Sequence, residues 1–330
     1  MTKRAGDISD FLASAGWLDA ERQPLAGDAS ARRYERLSSE TGQAVLMDAN
    51  PAKGESVGAF IDMTNHLRAL GFSAPRIFAA QQEHGLLLIE DLGDDLFARH
   101  VKVDPADERL LYIAATDVLI ELHQSTPPTF VQDYLPQMCP LASLAYEWYA
   151  RGISGQKPQQ EAFESEMQAA LDRISKTSKV LILRDYHAEN LLWLPARRGT
   201  ARVGLLDYQD AMSGPRAYDL VSLIKDARRD VSPSVASDCA DRYQRATGLD
   251  PAAFEYEMAV CSAQRNLRIL GVFARLSLRD GKPGYLKWMS RVWRHLMDDL
   301  SHPDLGALKS IVVSDLPMPT QRAVAKLERV

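Results

Sequence analysis

The sequence predicts an α+β fold of two domains: an N-terminal lobe, residues 1–92, with a small antiparallel sheet and one main helix, and a larger, mostly helical C-terminal lobe, residues 93–330. Three observations predict this fold. Before residue 92, short apolar runs alternate with turn residues, which is typical of β-hairpins. After it, apolar residues recur at helical spacing over long segments. One strand-and-loop pattern, residues 180–207, interrupts these helices.

The first elements of the N-terminal lobe are a helix, a hairpin and a second, longer helix. Residues 7–16 predict a short helix, and residues 32–37 and 44–48 predict two strands joined by the turn-rich SSETGQ. Residues 55–70 predict the main helix, because apolar side chains recur every three or four positions and Gly71 follows as a stop.

A second hairpin is predicted at residues 75–80 and 86–89, around the polar QQEHG, and its last strand runs into the acidic EDLGDD. Beyond it, long helices are predicted at residues 104–124, 141–151, 159–175, 233–247 and 251–279. The interruption reads as a strand at residues 180–183, the polar RDYHAEN, the strand LLWL, the turn PARRGT and the strand VGLLD. Catalytic groups often lie on such loops.

Three oxygen-bearing side chains in this interruption carry the chemical hypothesis. Asp185 and Asn190 stand five residues apart between two apolar runs, and Asp207 ends the next run. Phosphoryl transfer needs a carboxylate that orients the acceptor hydroxyl and oxygen ligands that hold magnesium against the phosphates. The spacing of Asp185 and Asn190 equals that of the protein kinase catalytic loop, and Asp207 falls where the Asp of D-F-G would fall. Taken singly, Asp185 and Asn190 are also ordinary turn or cap residues.

Composition places the chain among globular proteins. Of its 330 residues, 39 are Lys or Arg and 44 are Asp or Glu, which gives a formal charge of −5 and argues against a nucleic-acid scaffold. Three cysteines without a CxxC pair favour a reducing compartment. Without a secretory signal pattern or a long apolar run, the sequence predicts a soluble cytoplasmic protein with no membrane partner.

Two stretches, LRDYHAENLLW and LLDYQDAMSGPRAYDLVSL, resemble the signature of the aminoglycoside phosphotransferase and choline kinase-like family. Within that family, the chain is most similar to the anomeric kinases that phosphorylate N-acetylmuramate and N-acetylglucosamine in cell-wall recycling. The segments GDASARRYERL, VLMDA, LLLIEDLG and RNLRILGVFARLSLRDGKPGYL also carry this similarity, which spans roughly residues 25–300. The resemblance implies a protein kinase-like two-lobe fold and an ATP- and Mg²⁺-dependent small-molecule kinase.

The resemblance also implies roles for individual residues. Asp185 would be the catalytic base, and Asn190 and Asp207 would be the magnesium ligands. Asp219 and His187 would support the catalytic loop. The loop over the nucleotide phosphates would contain Gly27, Asp28, Ala29, Ser30 and Arg33. Glu90 to Leu92, with Glu90 and Leu92 at its ends, would be the hinge that offers backbone groups to adenine.

Two positions depart from the family pattern. Leu183 stands where a His usually precedes the catalytic Asp, so the bracing of the loop is expected to differ. Met47 stands where protein kinases carry the phosphate-binding Lys. Arg32, Arg33 or Arg36 could supply the positive charge instead, because a guanidinium suits phosphate oxygens.

The acceptor is predicted from weaker signals. Arg265 and Arg268 lie on the helix at residues 251–279, where an anionic sugar would use a cation, although a solvated basic face is the alternative. Trp148 could stack on a sugar ring, although a core role is the alternative. An aminoglycoside, a choline-like alcohol or a homoserine-like compound remains open as acceptor. So does a noncatalytic, pseudokinase-like module that only binds nucleotide.

Overall fold

The computed structural model describes residues 3–25, 32–40, 42–156 and 158–328. The chain forms two compact units. The first comprises residues 1–105 and 189–210, and the second comprises residues 106–188 and 211–330. The predicted N-terminal lobe therefore falls wholly within the first unit, which also takes in the hairpin that follows the catalytic loop.

Short strands and longer helices alternate in the described residues. The strands are β1 Glu21–Leu25, β2 Arg33–Ser39, β3 Gly42–Asp48, β4 Ile77–Gln81, β5 Leu86–Glu90, β6 Val180–Ile182, β7 Leu191–Trp193, β8 Val203–Leu205 and β9 Met212–Gly214. The helices are α1 Lys3–Ser14, α2 Gly58–Ala69, α3 Phe97–Val103, α4 Glu108–Leu122, α5 Leu135–Ala142, α6 Arg151–Ser154, α7 Glu161–Ile174, α8 Tyr218–Ile224, α9 Pro233–Thr247, α10 Pro251–Leu278, α11 Met289–Asp299, α12 Gly306–Asp315 and α13 Gln321–Ala325.

The first unit contains a five-stranded antiparallel sheet in the order β1-β2-β3-β5-β4. Both predicted hairpins and the main helix α2 are confirmed. The edge strand β1 was not predicted, because its sequence ERQPL has little apolar patterning and is largely exposed. Its Pro24 is tolerated there, since an edge strand has backbone groups that need no ladder partner.

One face of this sheet packs against α1. Ile8, Phe11 and Leu12 of that helix form a buried cluster with sheet residues that include Leu37 and Leu46. Because side chains alternate along a strand, the neighbours of these sheet residues point to the opposite face. Burial of the cluster fixes the register of the strands that carry the candidate site.

A small hairpin of β7 and β8 belongs to the same unit. Isolated bridges join Leu96 to Leu192 and Ser73 to Gly204. The helix α2 also contacts this region, since Phe60 stacks on Tyr208 with ring centroids 5.3 Å apart. The Thr64 and Tyr208 hydroxyl oxygens lie 2.7 Å apart. These contacts hold the end of β8, where Asp207 lies.

The second unit is built around α10, a largely buried helix of 28 residues. It begins at Pro251 behind the N-cap Asp250, whose carboxylate accepts the backbone N–H of Ala253 at 2.9 Å. Where the sequence predicts one helix at residues 141–151, the chain forms the end of α5 and a π-helical turn, Ala145–Ala150. Gly271 of α10 allows the backbone of Leu144 to approach closely.

Two further sequence expectations concern the environment of the protein. No helix among the described residues is long and apolar enough to cross a membrane. The thiols of Cys139, Cys239 and Cys261 are all buried and unpaired. Burial raises the pKa of the Cys139 thiol to about 11.

Candidate active site

The loop that carries Asp185 is held by a buried carboxylate. It follows β6, which pairs with β9 in the second unit. Asp219 of α8 is fully buried and accepts the backbone N–H of Leu183 at 2.5 Å and that of Arg184 at 2.9 Å. These contacts fit the support role predicted for Asp219. They also show how the loop is braced where Leu183 replaces the usual His.

The surroundings of Asp219 compensate only partly for the burial of its charge. The pKa of the Asp219 carboxyl is raised to about 7, mainly by burial and also by the neighbouring Asp185 carboxylate. The two backbone N–H donors lower this pKa and so oppose part of the rise. The Arg265 guanidinium lowers it as well. Arg265 is itself only 7% exposed. Its place beside Asp219 therefore suits support of the loop more than contact with an acceptor.

Asp185 lies on a constrained stretch of backbone. Arg184, just before it, has a φ of 71°, a left-handed conformation that is uncommon for a non-glycine residue. The backbone N–H of Asp185 donates to the Leu183 carbonyl at 2.9 Å. Such strain persists only where the surroundings determine the conformation, and it is frequent at active sites.

Arg268 is a cation beside Asp185. Burial lowers its pKa, but the neighbouring Tyr218, Tyr134 and Asp185 groups more than offset this, so the net pKa is raised. Its Nη1 donates to the Tyr218 hydroxyl at 3.1 Å and to the Tyr134 hydroxyl at 3.4 Å. The guanidinium is therefore fixed in position and permanently charged.

His187 lies two residues beyond Asp185 and is buried. Its Nε2 is 2.8 Å from Nη1 of Arg228, which follows α8. A guanidinium only donates, so Nε2 is the acceptor and the imidazole carries its proton on Nδ1. This contact connects the catalytic loop to the segment after α8.

The two predicted magnesium ligands lie together in the first unit, whereas Asp185 belongs to the second. Asn190 precedes β7 and Asp207 follows β8, and the Leu206 N–H donates to the Asn190 carbonyl at 3.0 Å. Asp207 has a φ of 58°, and its Oδ1 accepts from the Gln209 amide at 2.7 Å. The hairpin pairing thus brings the two side chains to the same end of the β7–β8 ladder.

The donor set at this end fits Mg²⁺. Among the described residues, no group of three His, Cys, Asp or Glu side chains is arranged to hold a metal. Mg²⁺ does not need one, because it is usually bound by one or two protein oxygens together with substrate phosphates and water. An Asp carboxylate and an Asn amide oxygen are donors of the right kind.

The missing lysine has no direct replacement in β3. Met47 is 1% exposed and pairs with Tyr34 of β2 across the sheet. Arg36 donates to Asp91 at 2.6 Å and to Asp94 at 2.7 Å. These contacts direct its charge toward the acidic segment after β5.

Arg32 and Glu55 form a second ion pair near Tyr34. Nε of Arg32 donates to Oε2 of Glu55 at 3.0 Å, and both side chains are less than one-fifth exposed. The pKa of the Tyr34 hydroxyl is raised, mainly by burial and also by the negative charges of Asp207 and Glu55. The positive charge of Arg32 lowers this pKa but does not cancel the rise. One cation, one phenol and two carboxylates therefore lie together in the first unit.

The other predicted nucleotide contacts are only partly described. Gly27, Asp28, Ala29 and Ser30 lie outside the described residues, and Arg33 is exposed at the start of β2. Glu90 ends β5, and its carboxylate accepts from Arg197 at 2.8 Å and from the Arg76 N–H at 3.1 Å. Leu92 is buried.

The aromatic residue predicted to contact the acceptor, Trp148, lies in the second unit. Trp148 is half-buried on the π-helical turn, and the neighbouring Tyr149 is fully buried, with its hydroxyl donating to the Pro317 carbonyl at 2.5 Å. A different aromatic residue, Trp288, lines a pocket with Arg228. Sequence reasoning missed both, although the basic ARRD after α8 and the KW pair before α11 could have indicated them.

The comparison with protein families decides the class of the chain. Residues 21–255, more than half of the sequence, match the sequence model of the phosphotransferase enzyme family. The chain belongs to this family. The predicted kinase activity is thereby confirmed, and the chain is a phosphotransferase that acts on a hydroxyl group of a small molecule. Kinases of this phosphotransferase family use ATP.

Curated relatives of this phosphotransferase cover nearly its whole length. It is 37% identical to the N-acetylmuramate/N-acetylglucosamine kinase of Caulobacter vibrioides, over 97% of this chain and 99% of the relative. It is 30% identical to the N-acetylmuramate/N-acetylglucosamine kinase of Pseudomonas putida, over 92% of each chain.

Solved structures confirm the predicted fold class. A choline/ethanolamine kinase family protein from Mesorhizobium loti matches with a TM-score of 0.62 at 14% identity, over 98% of this chain and 99% of that one. The ADP-bound aminoglycoside phosphotransferase APH(2'')-Ib matches with a TM-score of 0.59 at 13% identity, over 90% and 98%. The protein kinase-like α+β architecture is thus shared.

Proposed function

We propose that this phosphotransferase is an ATP- and Mg²⁺-dependent kinase of the anomeric hydroxyl of an amino sugar, N-acetylmuramate or N-acetylglucosamine. Two relatives that are matched over nearly their whole length are kinases of these sugars, which supports this acceptor class. The observation that carries the chemistry is the loop bearing Asp185, which the buried Asp219 holds in place. Because ATP is supplied in the cytoplasm, we place the reaction there.

Asp185 is the proposed catalytic base. The anomeric O–H proton passes to its carboxylate as the sugar oxygen forms a bond to the γ-phosphorus of ATP, and the bond from that phosphorus to the β,γ-bridging oxygen breaks, so that ADP leaves. An anomeric hydroxyl is more acidic than an ordinary alcohol, so its deprotonation places a modest demand on the base. Asp219 positions the backbone on which Asp185 stands, and His187 supports the same loop.

Asn190 and Asp207 are the proposed magnesium ligands. When bound, Mg²⁺ supplies positive charge against the β- and γ-phosphates. The hairpin of β7 and β8 keeps the two oxygen donors at one end of its ladder. The left-handed backbone at Asp207 is explained if its carboxylate must point in one fixed direction.

Arg32 is the proposed replacement for the phosphate-binding lysine. In protein kinases that lysine pairs with a glutamate of the neighbouring helix. Here Arg32 pairs with Glu55, ahead of α2, and Tyr34 connects the pair electrostatically to Asp207. Arg36 is a weaker candidate, because it binds two carboxylates, Asp91 and Asp94. The backbone of the segment from Glu90 to Leu92 remains the proposed contact for adenine.

The charge around Asp185 favours an uncharged or anionic acceptor. Arg268 is fixed beside Asp185 and attracts it electrostatically. An aminoglycoside is a polycation and a choline-like alcohol is a cation, so either would approach an arginine of the same sign. An acetylated amino sugar meets no such repulsion. We set the pseudokinase alternative aside for two reasons: the chain belongs to the phosphotransferase family, and it retains Asp185, Asn190 and Asp207.

An ADP-release assay tests the proposal. The acceptors are N-acetylmuramate, N-acetylglucosamine, kanamycin, choline and homoserine, each with ATP and Mg²⁺. We expect turnover with the acetylated sugars and a fall in kcat of about 10³-fold or more in Asp185→Asn. Asp210→Asn, an exposed carboxylate beyond β8, is the matched control and keeps its activity. Near-wild-type turnover of Asp185→Asn, or turnover with kanamycin alone, would overturn the proposal.

A further inference from the structure

A cationic pocket lies in the second unit, apart from the residues assigned above. Its volume is about 410 Å³, and its walls come from the segment after α8 and from α11 with the 3₁₀ segment before it, Pro283–Trp288. Arg228 and Asp230 line one wall. The lining of the other wall includes Lys287, Trp288, Arg291 and Arg294.

The charges around this pocket do not cancel. Asp230 accepts from Arg291 at 2.6 Å and from Arg294 at 2.6 Å, so one carboxylate is shared by two guanidinium groups. Arg228 and Lys287 add two further positive charges to the lining. Four cations against one carboxylate give a formal charge of 4 − 1 = +3. The buried Asp226, which accepts the Arg228 N–H at 2.8 Å from behind, lowers this sum without reversing its sign.

The aromatic member of the pocket is held in position. The ring of Trp288 lies 5.9 Å from that of Phe273 and 5.7 Å from that of Tyr285, measured between centroids. Nζ of Lys287 is 4.6 Å from its centroid, and the guanidinium carbon of Arg228 is 5.9 Å from it. A half-buried indole next to cations suits a ligand with apolar C–H groups and a negative charge.

The pocket adjoins the catalytic loop through one contact. Nη1 of Arg228 is 2.8 Å from Nε2 of His187, and His187 is two residues from Asp185. Arg228 therefore places one wall of this pocket next to a side chain of the loop that bears the proposed base.

We propose that this pocket binds the carboxylate of an acidic substituent on the acceptor sugar, with Arg228 and Lys287 as its ligands. The inference rests on the proposed amino-sugar kinase function. The two sugars named for the relatives differ in just such a group, because N-acetylmuramate is N-acetylglucosamine with a lactyl ether. The pocket is then a specificity site that distinguishes the acidic sugar from the neutral one, while the anomeric hydroxyl reacts in both.

Kinetics on the two sugars test the inference, because the neutral sugar is a control within every variant. In Lys287→Met, an exposed position, we expect KM for N-acetylmuramate to rise about 10- to 100-fold, the range of a lost charge-assisted hydrogen bond. For N-acetylglucosamine we expect a change within about threefold. Arg228 also contacts His187, so we expect Arg228→Met to slow the reactions of both sugars, with the larger loss for N-acetylmuramate. Arg279→Met, a surface arginine outside the pocket, changes neither.

The outcomes separate the two proposals. Equal losses on both sugars in Lys287→Met and in Arg228→Met would overturn the carboxylate site and leave the kinase assignment intact. Inhibition of the wild type by inorganic phosphate, equal for both sugars and abolished in Lys287→Met, would assign the pocket to a separate anion and would also overturn it. Absence of wild-type turnover with either sugar would overturn the proposed function itself.

Discussion

The carboxylate of Asp219 accepts the backbone N–H of Arg184 at 2.9 Å. Arg184 is one of two non-glycine residues with positive φ among those the structure describes, and it immediately precedes the proposed base. A buried side chain therefore holds the backbone that sets the position of Asp185. This arrangement makes the geometry of the loop depend on a residue that is 36 positions away from Leu183 in the sequence.

Asp219→Asn tests this dependence. The amide retains one acceptor oxygen but turns an N–H₂ group toward a backbone donor, and it removes one of the carboxylates that attract Arg265. Neutralising a buried charge opposes these losses, but a buried donor without a partner costs about 1–3 kcal/mol. We expect a lower free energy of unfolding by about that amount and a reduced kcat with little change in KM for ATP. Denaturant unfolding and steady-state kinetics would measure both; unchanged values would exclude the bracing role.

Arg32→Ala tests the replacement of the phosphate-binding lysine. Loss of a guanidinium that contacts phosphate should raise KM for ATP about tenfold or more, because a charge-assisted hydrogen bond contributes about 1.5–3 kcal/mol. Arg33→Ala is the matched control, since Arg33 follows Arg32 directly and is exposed as the first residue of β2. Titration of ATP at saturating acceptor would measure the effect. If the Arg33 variant were the one with the higher KM, Arg32 would not be the ligand.

Gly271→Ala tests the close approach of α10 to the π-helical turn. An added Cβ would overlap the backbone carbonyl of Leu144, which cannot rotate away as a side chain could. We expect destabilisation of about 1–3 kcal/mol or more from overpacking. Gly6→Ala is the contrast: nothing lies within 4 Å of its added Cβ, and in α1 it should stabilise by about 0.5–1 kcal/mol. Thermal unfolding of both variants distinguishes the two effects.

His123 predicts how stability depends on pH. Burial lowers the pKa of His123 to about 3, with a smaller contribution from Arg216. Because this folded value is below the unfolded pKa of about 6.5, the unfolded chain gains a proton first, and stability falls as pH decreases from about 6.5 toward 3. The slope due to this group is about 1.4 kcal/mol per pH unit. Urea unfolding at pH 7, 6 and 5 should give a flatter slope in His123→Gln; identical slopes would contradict the assignment.

Local pattern was sufficient for many elements before residue 279, whereas α3, α8 and β9, and the helices α11 to α13 beyond it, were not predicted. The short apolar runs at residues 44–48 and 86–89, set between turn residues, predicted β3 and β5, and helical spacing predicted α4, α9 and α10 within a few residues. The strand β1 was not predicted because it is exposed and carries no alternation. The π-helical turn was not predicted because it depends on packing against Gly271, more than 120 positions later in the chain.

The site was predictable only where its residues are close in sequence. Asp185 and Asn190 follow from their spacing between two apolar runs. The ion pair of Arg32 with Glu55 joins residues 23 positions apart, and the contact of Arg228 with His187 joins residues 41 positions apart. Spacing along a chain does not reveal such pairs. From the sequence alone, any of three arginines could replace the phosphate-binding lysine, and the proposal of Arg32 depends on the ion pairs seen in the structure.

The thioether at position 47 has a consequence for chemical labelling. Acyl-phosphate and sulfonyl-fluoride analogues of ATP react with the amine that kinases usually carry on this strand. Met47 is buried and has no nucleophilic nitrogen, and the guanidinium of Arg32 stays protonated and does not acylate. We therefore expect no labelling at position 47 by such a probe, in contrast to kinases that carry the amine there.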